Sequence, residues 1–431
     1  MDRPNILYIH SHDTGRNIRP FVHAVSTPNL QQLAEEGILF RKCFSAAPTC
    51  SPSRAALLTG QYPHSSGMLG LAHRGFSLDD YNQHIVHTLN EAGYFTQLIG
   101  HQHVAKDPEE IGYDDIKEHL GGSRSVVEAA KAFIHNAPEP FFLSVGFFET
   151  HRPFPRPQTE NDEKYSKPPS VLPDTPATRA DIASFMASVR ILDRAIGDIV
   201  QTLTDEGLTK RTLVICTTDH GIAFPGMKCT LTDHGIGVFL IMRGSEDFAG
   251  GRVVDAMVSQ IDLFPTICEL LDLEKPPWLQ GISLLPIIRG EVEEVREELF
   301  AEVTFHAAYE PQRAVRTQRW KYIRRFDDRS VPVLPNIDDG PSKDVWMDKG
   351  FKEREVDQEQ LFDLHFDPNE VQNLVYDPEY ADILKDLRFR LQCWMEETHD
   401  PLINGPVTPP PGSEINDVDG ISPDEPPRLF Q

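Results

Sequence analysis

Residues 211–220 read RTLVICTTDH. A β-branched apolar run with no polar alternation is followed at once by an acid and an imidazole. Such a run suits a strand covered on both faces, as in a parallel sheet flanked by helices. The same design recurs upstream. NILYIHSHD over 5–13 ends in His12 and Asp13, FTQLIGHQH over 95–103 in His101 and His103, and PFFLSVGFFETH over 140–151 in Glu149 and His151. Runs 237–242 and 298–304 predict further strands. Between them lie helical patterns at 27–37, 81–93, 176–207 and 260–273. The first, TPNLQQLAEEG, opens on a Thr cap and a Pro and closes on Gly. This alternation predicts an α/β fold, a large and mostly parallel sheet covered by helices on both faces.

Ligands of such sheets bind beyond the carboxyl ends of the strands. The pairs His12–Asp13, His101–His103, Glu149–His151 and Asp219–His220 are therefore expected along one rim. A single histidine at a strand end is usually solvated or hydrogen-bonded; several at one rim point to metal binding or proton transfer. His84, His87, His119 and His135, on predicted helices and loops, are read as background.

After about residue 305 the texture changes. AVRTQRWKYIRRF over 314–326 reads as one or two strands with a basic face, 329–352 is turn-rich and acidic, and 378–398 is a long helix. The expected organisation is an α/β domain over 1–305, a smaller C-terminal α+β domain over 306–404, and an extended Pro-rich tail over 405–431. The tail is free to fold back or to wrap a second copy in a homo-oligomer.

The 431 residues carry 41 Lys and Arg against 66 Asp and Glu, a formal charge of −25. That argues against nucleic acid or an anionic membrane as the main partner, and an anionic ligand would need a local positive pocket. Six cysteines without a CxxC pair make neither a disulfide scaffold nor a zinc ribbon. The apolar run at the start is too short for a signal segment or a membrane span, so a soluble cytoplasmic protein is expected.

Residues 48–60 read PTCSPSRAALLTG. Pro52 suits the first turn of a helix, which puts Cys50 at the helix N-terminus, where a thiolate or a bound oxyanion is favoured. Arg54, one turn on, can fork onto the same oxyanion. A tyrosine-phosphatase loop would need its arginine at position 56, which is Ala56. Taken alone, the segment reads as a buried thiol at a helix start.

The stretch Cys50-Ser51-Pro52-Ser53-Arg54 with Ala55–Gly60 resembles the signature of the type I sulfatases, in the alkaline phosphatase superfamily. The likeness extends to Pro4–Leu7 with His12-Asp13, to Thr27–Leu30, to Thr218–Gly221, and to Leu361–Leu364 with Asp367–Glu370 and Asn373-Leu374. Gly67-Met68, Thr175–Ala177 with Arg179–Asp181, and Glu397–Pro401 are similar to the sulfamidase branch.

The resemblance implies an alkaline-phosphatase-like fold and a sulfate ester or sulfamate substrate, on a glycan or a smaller sugar. Cys50 would be converted to formylglycine by a separate maturation enzyme, with Arg54 its stabiliser and His103 the base. His151 and Lys228 would contact the sulfate or the leaving group, with His101 and Arg152 on the substrate side. His12, Asp13, Asp219 and His220 would hold one divalent metal. The family usually has Asp at position 12 and Lys at position 101. Its usual metal is calcium, whereas imidazole ligands also suit Mn, Fe or Zn. Two other readings stay open: a phosphonate monoester or phosphodiester hydrolase of the same superfamily, and a non-catalytic metal-binding protein if Cys50 is not converted.

Overall fold

The computed structural model describes residues 3–157 and 159–431. Its large sheet contains β1 (Asn5–Ser11), β2 (Ile38–Phe44), β3 (Phe95–Gly100), β4 (Asp115–Lys117), β5 (Phe141–Gly146), β6 (Thr212–Thr218), β7 (Gly237–Arg243) and β8 (Arg252–Ser259), in the order β4-β3-β5-β1-β6-β7-β2-β8. Only β7 runs against its neighbours; the remaining pairs are parallel. The expected mostly parallel sheet is therefore present.

Alternate side chains of the central strands feed two cores, one on each face. Ile6, Tyr8, Ile215 and Leu240 belong to one, and Leu7, Ile9, Val214 and Ile241 to the other. The long helix Pro176–Asp205 covers the second face, entered through a reciprocal cap between Thr175 and Thr178. Burial on both faces is why the central strands read as unbroken apolar runs.

A second, antiparallel sheet holds β9 (Glu298–Phe305), β10 (Tyr309–Thr317), β11 (Trp320–Arg325) and β12 (Glu359–Asp363), in the order β12-β11-β10-β9. The strand expected over 298–304 thus opens the small sheet rather than joining the large one. A division at 305/306 would cut the β9–β10 hairpin, whose three-residue connection is too short for a parallel crossover. Helix Ala381–Glu397 lays Leu384, Leu387, Leu391 and Trp394 against Val315 and Tyr322 of this sheet.

The tail is not extended into solvent. It forms a short ribbon, Glu414–Ile415 with Arg428–Leu429, and the Asn416 N–H donates to the Ala307 carbonyl at 2.8 Å. Among the described residues, no helix is long and apolar enough to cross a membrane.

Candidate active site

Strands β1, β3, β5 and β6 run the same way, so their carboxyl ends share one rim. β2, antiparallel to β7 like β6, adds its own carboxyl end there and leads into the helix Cys50–Thr59. Five chain segments thereby end on the rim that carries residue 50. The Cys50 sulfur lies 3.3 Å from His220 Nε2, 3.9 Å from His12 Nδ1 and 4.0 Å from Asp13 Oδ1. Asp13 and Asp219, from different strands, are locked together, because the Asp13 N–H donates to Asp219 Oδ1 at 2.8 Å. The His220 N–H donates to the same oxygen at 2.9 Å. The helix start is tied to β6 by Ser53 Oγ, which donates to the Asp219 carbonyl at 2.6 Å.

The donors left over converge. His12 Nδ1 is 3.0 Å from Asp13 Oδ1 and 3.4 Å from Asp219 Oδ2. His220 Nε2 is 3.2 Å from Asp13 Oδ1 and 3.7 Å from Asp219 Oδ2. His220 Nδ1 lies 2.9 Å from the Gly221 carbonyl, to which it donates, so the Nε2 lone pair faces the carboxylates. Orientation of an imidazole through its other nitrogen is the usual arrangement behind a metal ligand. Two buried carboxylates and two imidazoles offering lone pairs fit a divalent cation.

Positive charge compensates in part. Arg54 donates through one terminal nitrogen to Asp219 Oδ2 and to the Ser11 carbonyl, each at 2.9 Å, and through the other contacts His10 Nδ1. Lys228 Nζ, buried, donates to Asp13 Oδ2 at 3.1 Å and sits 3.2 Å from Asp338 Oδ2. Burial alone would raise the Asp13 carboxyl, but Lys228 and the imidazoles hold it well below the usual range. Burial would likewise lower Lys228, and Asp13 and Asp338 overcome it, so its ammonium persists well above the ordinary lysine value.

Burial pushes the Cys50 thiol up, and the carboxylates add to this against Lys228 and Arg54. The unconverted residue is thus a neutral thiol and a poor nucleophile. The thiolate allowed by the helix N-terminus is excluded by the carboxylates facing it. Burial also pushes His12 down to about 4 despite Asp219 and Asp13, so its imidazole is neutral and able to ligate.

The wider rim holds the remaining expected residues. His151 Nε2 is 3.9 Å from Asp13 Oδ2, with Nδ1 donating to the Arg152 carbonyl at 2.6 Å. A cleft of about 530 Å³ opens beside it, lined by His151, Phe154, Ser184, Asp338 and Asp424 among others. Arg152, expected on the substrate side, has its fork closed on Asp181, two bonds of 2.8 Å, and its Nε on the Ala223 carbonyl at 2.9 Å. These bonds use three of its five N–H groups and brace the loop, while the residue also lines the cleft. Gln158, within the 152–167 loop expected to set specificity, lies outside the described residues.

His103, expected as the base at residue 50, makes no hydrogen bond to the Cys50 sulfur among the described residues; its Nε2 is 2.7 Å from His73 Nδ1. His101 packs against the rings of His12 and Phe148, at centroid distances of 5.1 and 5.6 Å. Sequence reasoning missed Asp338, His73 and His10. Asp338 sits in an aperiodic acidic stretch, and neither His73 nor His10 carries any motif.

The Sulfatase family model matches residues 4–273, and the model described as N-sulphoglucosamine sulphohydrolase, C-terminal, matches 227–345. Human N-sulphoglucosamine sulphohydrolase is 30% identical, over 89% of this chain and 88% of its own. A delta 4,5-hexuronate-2-O-sulfatase of Bacteroides thetaiotaomicron is 24% identical, over 93% of this chain and 90% of its own. Among solved structures, a 2-O GAG sulfatase aligns at TM-score 0.72 and 21% identity, covering 95% of this chain and 96% of that one. A protein solved in complex with its substrate D-glucosamine-2-N,6-O-disulfate aligns at TM-score 0.72 and 20% identity, covering 94% and 99%. These structural likenesses concern the fold. The family match over more than half of the chain and the human relative aligned along most of both lengths carry the assignment: this chain belongs to the sulfatase family, as a sulfamidase-like type I member, a hydrolase of sulfate esters or S–N bonds.

Proposed function

We propose that the protein removes sulfate from a sulfated amino sugar, as a sulfamate or a sulfate ester, with residue 50 as the formylglycine nucleophile after conversion by a maturation enzyme. The observation that carries this reading is the buried Cys50 sulfur, within 4.0 Å of His220, His12 and Asp13. Formylglycine supplies, as its hydrate, one hydroxyl to attack sulfur and a second through which sulfate is released. A divalent cation held by His12, Asp13, Asp219 and His220 supplies Lewis-acid polarisation of the sulfuryl oxygens. Two imidazoles among four donors favour manganese, iron or zinc over the calcium usual in the family.

The chain's own groups then have separate tasks. Arg54 fixes Asp219 and keeps a fixed positive charge beside residue 50, which favours a sulfuryl group there. Lys228, kept as an ammonium by Asp13 and Asp338, gives the departing oxygen or nitrogen its proton. His151 donates its Nδ1–H to the Arg152 carbonyl, so in the neutral ring Nε2, on the Asp13 side, is the acceptor nitrogen. It is the group suited to accept the proton of the second hydroxyl. The partly acidic cleft beside His151 favours a sugar with a neutral or cationic substituent next to the sulfated position.

Protein co-expressed with a formylglycine-generating enzyme should yield a residue 50 peptide carrying an aldehyde in place of the thiol. It should turn over N-sulfoglucosamine or an aryl sulfate in preference to an aryl phosphonate. Cys50→Ala should fold and lose turnover by a factor of 10⁴ or more. Wild-type activity with an unconverted thiol, or full activity of Cys50→Ala, rules the mechanism out. Preference for the phosphonate moves the chain to the phosphoryl-transfer reading suggested by its imidazole-rich donor set.

A further inference from the structure

His101 and His103 follow β3 on either side of Gln102, whose side chain is committed to the Ala105 backbone at 2.7 and 3.0 Å. The two imidazoles meet His12. One nitrogen from each of the three rings lies within 4.8 Å of the others. The ring centroids are 5.1, 5.3 and 5.9 Å apart. His101 Nε2 and His103 Nδ1 are buried without a hydrogen-bond partner. A buried imidazole nitrogen left unmet is costly, and two on adjacent rings ask for a ligand.

The outer contacts favour a metal over a proton. His103 Nε2 faces His73 Nδ1 at 2.7 Å. When His103 Nε2–H donates to His73, the free lone pair of His103 is on Nδ1, the kind of arrangement by which an outer residue orients a ligating imidazole. His12 has its Nδ1 against Asp13 and Asp219, so Nε2 is the nitrogen it can offer to His101 and His103. Phe148 packs its ring on His12 and His101, at 5.8 and 5.6 Å, and shields one side.

We propose that His12, His101 and His103 form a second divalent-cation site, for a transition metal of the zinc type, beside the carboxylate site of Asp13, Asp219 and His220. Three imidazoles without a carboxylate suit zinc and its neighbours rather than calcium or magnesium, and leave a coordination position for water or a substrate oxygen. His12 stands between the two sites, with Nδ1 on the carboxylate side; a neutral imidazole has one lone pair, so filling both sites at once requires its ring to release the second proton to solvent and bridge as the imidazolate, which couples the two occupancies. The site also gives a role to a His103 that makes no hydrogen bond to the Cys50 sulfur among the described residues.

The test is metal binding by the whole chain, without substrate, so that it stands whether or not the protein is a sulfatase. Stripped protein is titrated with Co²⁺, followed by its visible d–d absorption, and zinc content is measured after dialysis. Two equivalents per chain are expected. His101→Ala should bind one fewer, and Asp219→Asn should lose the other. His73→Ala, which alters no ligand, should weaken one equivalent by 10–100-fold and leave the other unchanged. Circular dichroism and melting curves establish that each variant is folded. A single equivalent in the wild type, wild-type stoichiometry in folded His101→Ala, or unchanged affinities in His73→Ala overturns the proposal.

Discussion

In the proposed mechanism Lys228 is the proton donor to the leaving group. Its ammonium lies between Asp13 at 3.1 Å and Asp338 at 3.2 Å and is buried. A proton donor matters most when the leaving group is a poor one, since a good one departs without help. Lys228→Ala should therefore lower kcat/KM for a sugar sulfate or sulfamate by about 10²–10⁴-fold, and for a nitrophenyl sulfate by far less. Equal losses on both substrates would assign Lys228 to positioning Asp13 rather than to proton transfer. At this scale the sequence was readable wherever a residue followed a strand or opened a helix. Asp13, Asp219, His220 and Cys50 are such residues, because a parallel sheet brings its carboxyl ends together whatever the loops do. It was not readable where the partner comes from an aperiodic segment. Asp338 is set against Lys228, and His73 against His103, by loop paths that have no period. Arg152, expected on the substrate side, lines the cleft but has its fork closed on an acid from the long helix, Asp181, which no motif announced.

That acid makes the loop after β5 an element with a defined job. Asp181, on helix Pro176–Asp205, receives both arms of Arg152 at 2.8 Å and also the Ser342 N–H and hydroxyl at 3.2 and 2.6 Å. The guanidinium is further stacked on Phe154 and Phe224, 4.4 and 4.8 Å from their centroids. The Arg152 carbonyl in turn fixes His151. Breaking a mostly buried pair from one side leaves the other charge unmatched, at a cost of about 3–5 kcal/mol. Arg152→Ala should lower stability by roughly that amount and lower kcat/KM through a displaced His151. Arg152→Lys should recover little of either, because an ammonium cannot close a fork on a carboxylate or stack on two rings. Urea melts and kinetics on the same preparations check this; full rescue by lysine would show that charge alone braces the loop. The elements themselves were legible in proportion to their burial. β1, β5 and β6 are buried throughout their length, whereas β2 carries exposed Arg41 at a bulge and edge strand β8 alternates exposed and half-buried residues over its first half. Those two strands, and the three-residue edge strand β4, are the ones of the large sheet that the apolar-run criterion missed.

The whole molecule is joined by a buried charge network between its two sheets. Asp233, just before β7, receives Arg316 of β10 at 2.9 and 2.8 Å and Lys321 of β11 at 2.6 Å. Arg316 also lies over the Phe44 ring of the large sheet, 4.3 Å from its centroid. Glu370 closes the network, accepting from the Asp233 N–H and, at 3.1 Å, from Lys321. With one ammonium shared between two buried carboxylates, both cannot be fully compensated. Asp233 takes the larger share, held well below its ordinary value by Lys321 and Arg316 against the cost of burial. Glu370 is pushed up to about 7, by burial first and by the charge of Asp233 after it, with Lys321 opposing. The folded state thus binds this proton more tightly than the unfolded chain, whose glutamate titrates near 4.5. The group favours the fold at pH values below 4.5, and that contribution is lost as the pH rises through about 7. Glutamine copies the protonated form and keeps an oxygen for the Asp233 N–H and Lys321. Glu370→Gln should therefore gain stability relative to the wild type between pH 5 and pH 8, by an amount on the order of 2 kcal/mol, read as the difference between paired urea melts at the two pH values. A constant difference at both would mean that Glu370 is ionised throughout and that the two sheets are held by a fully charged network.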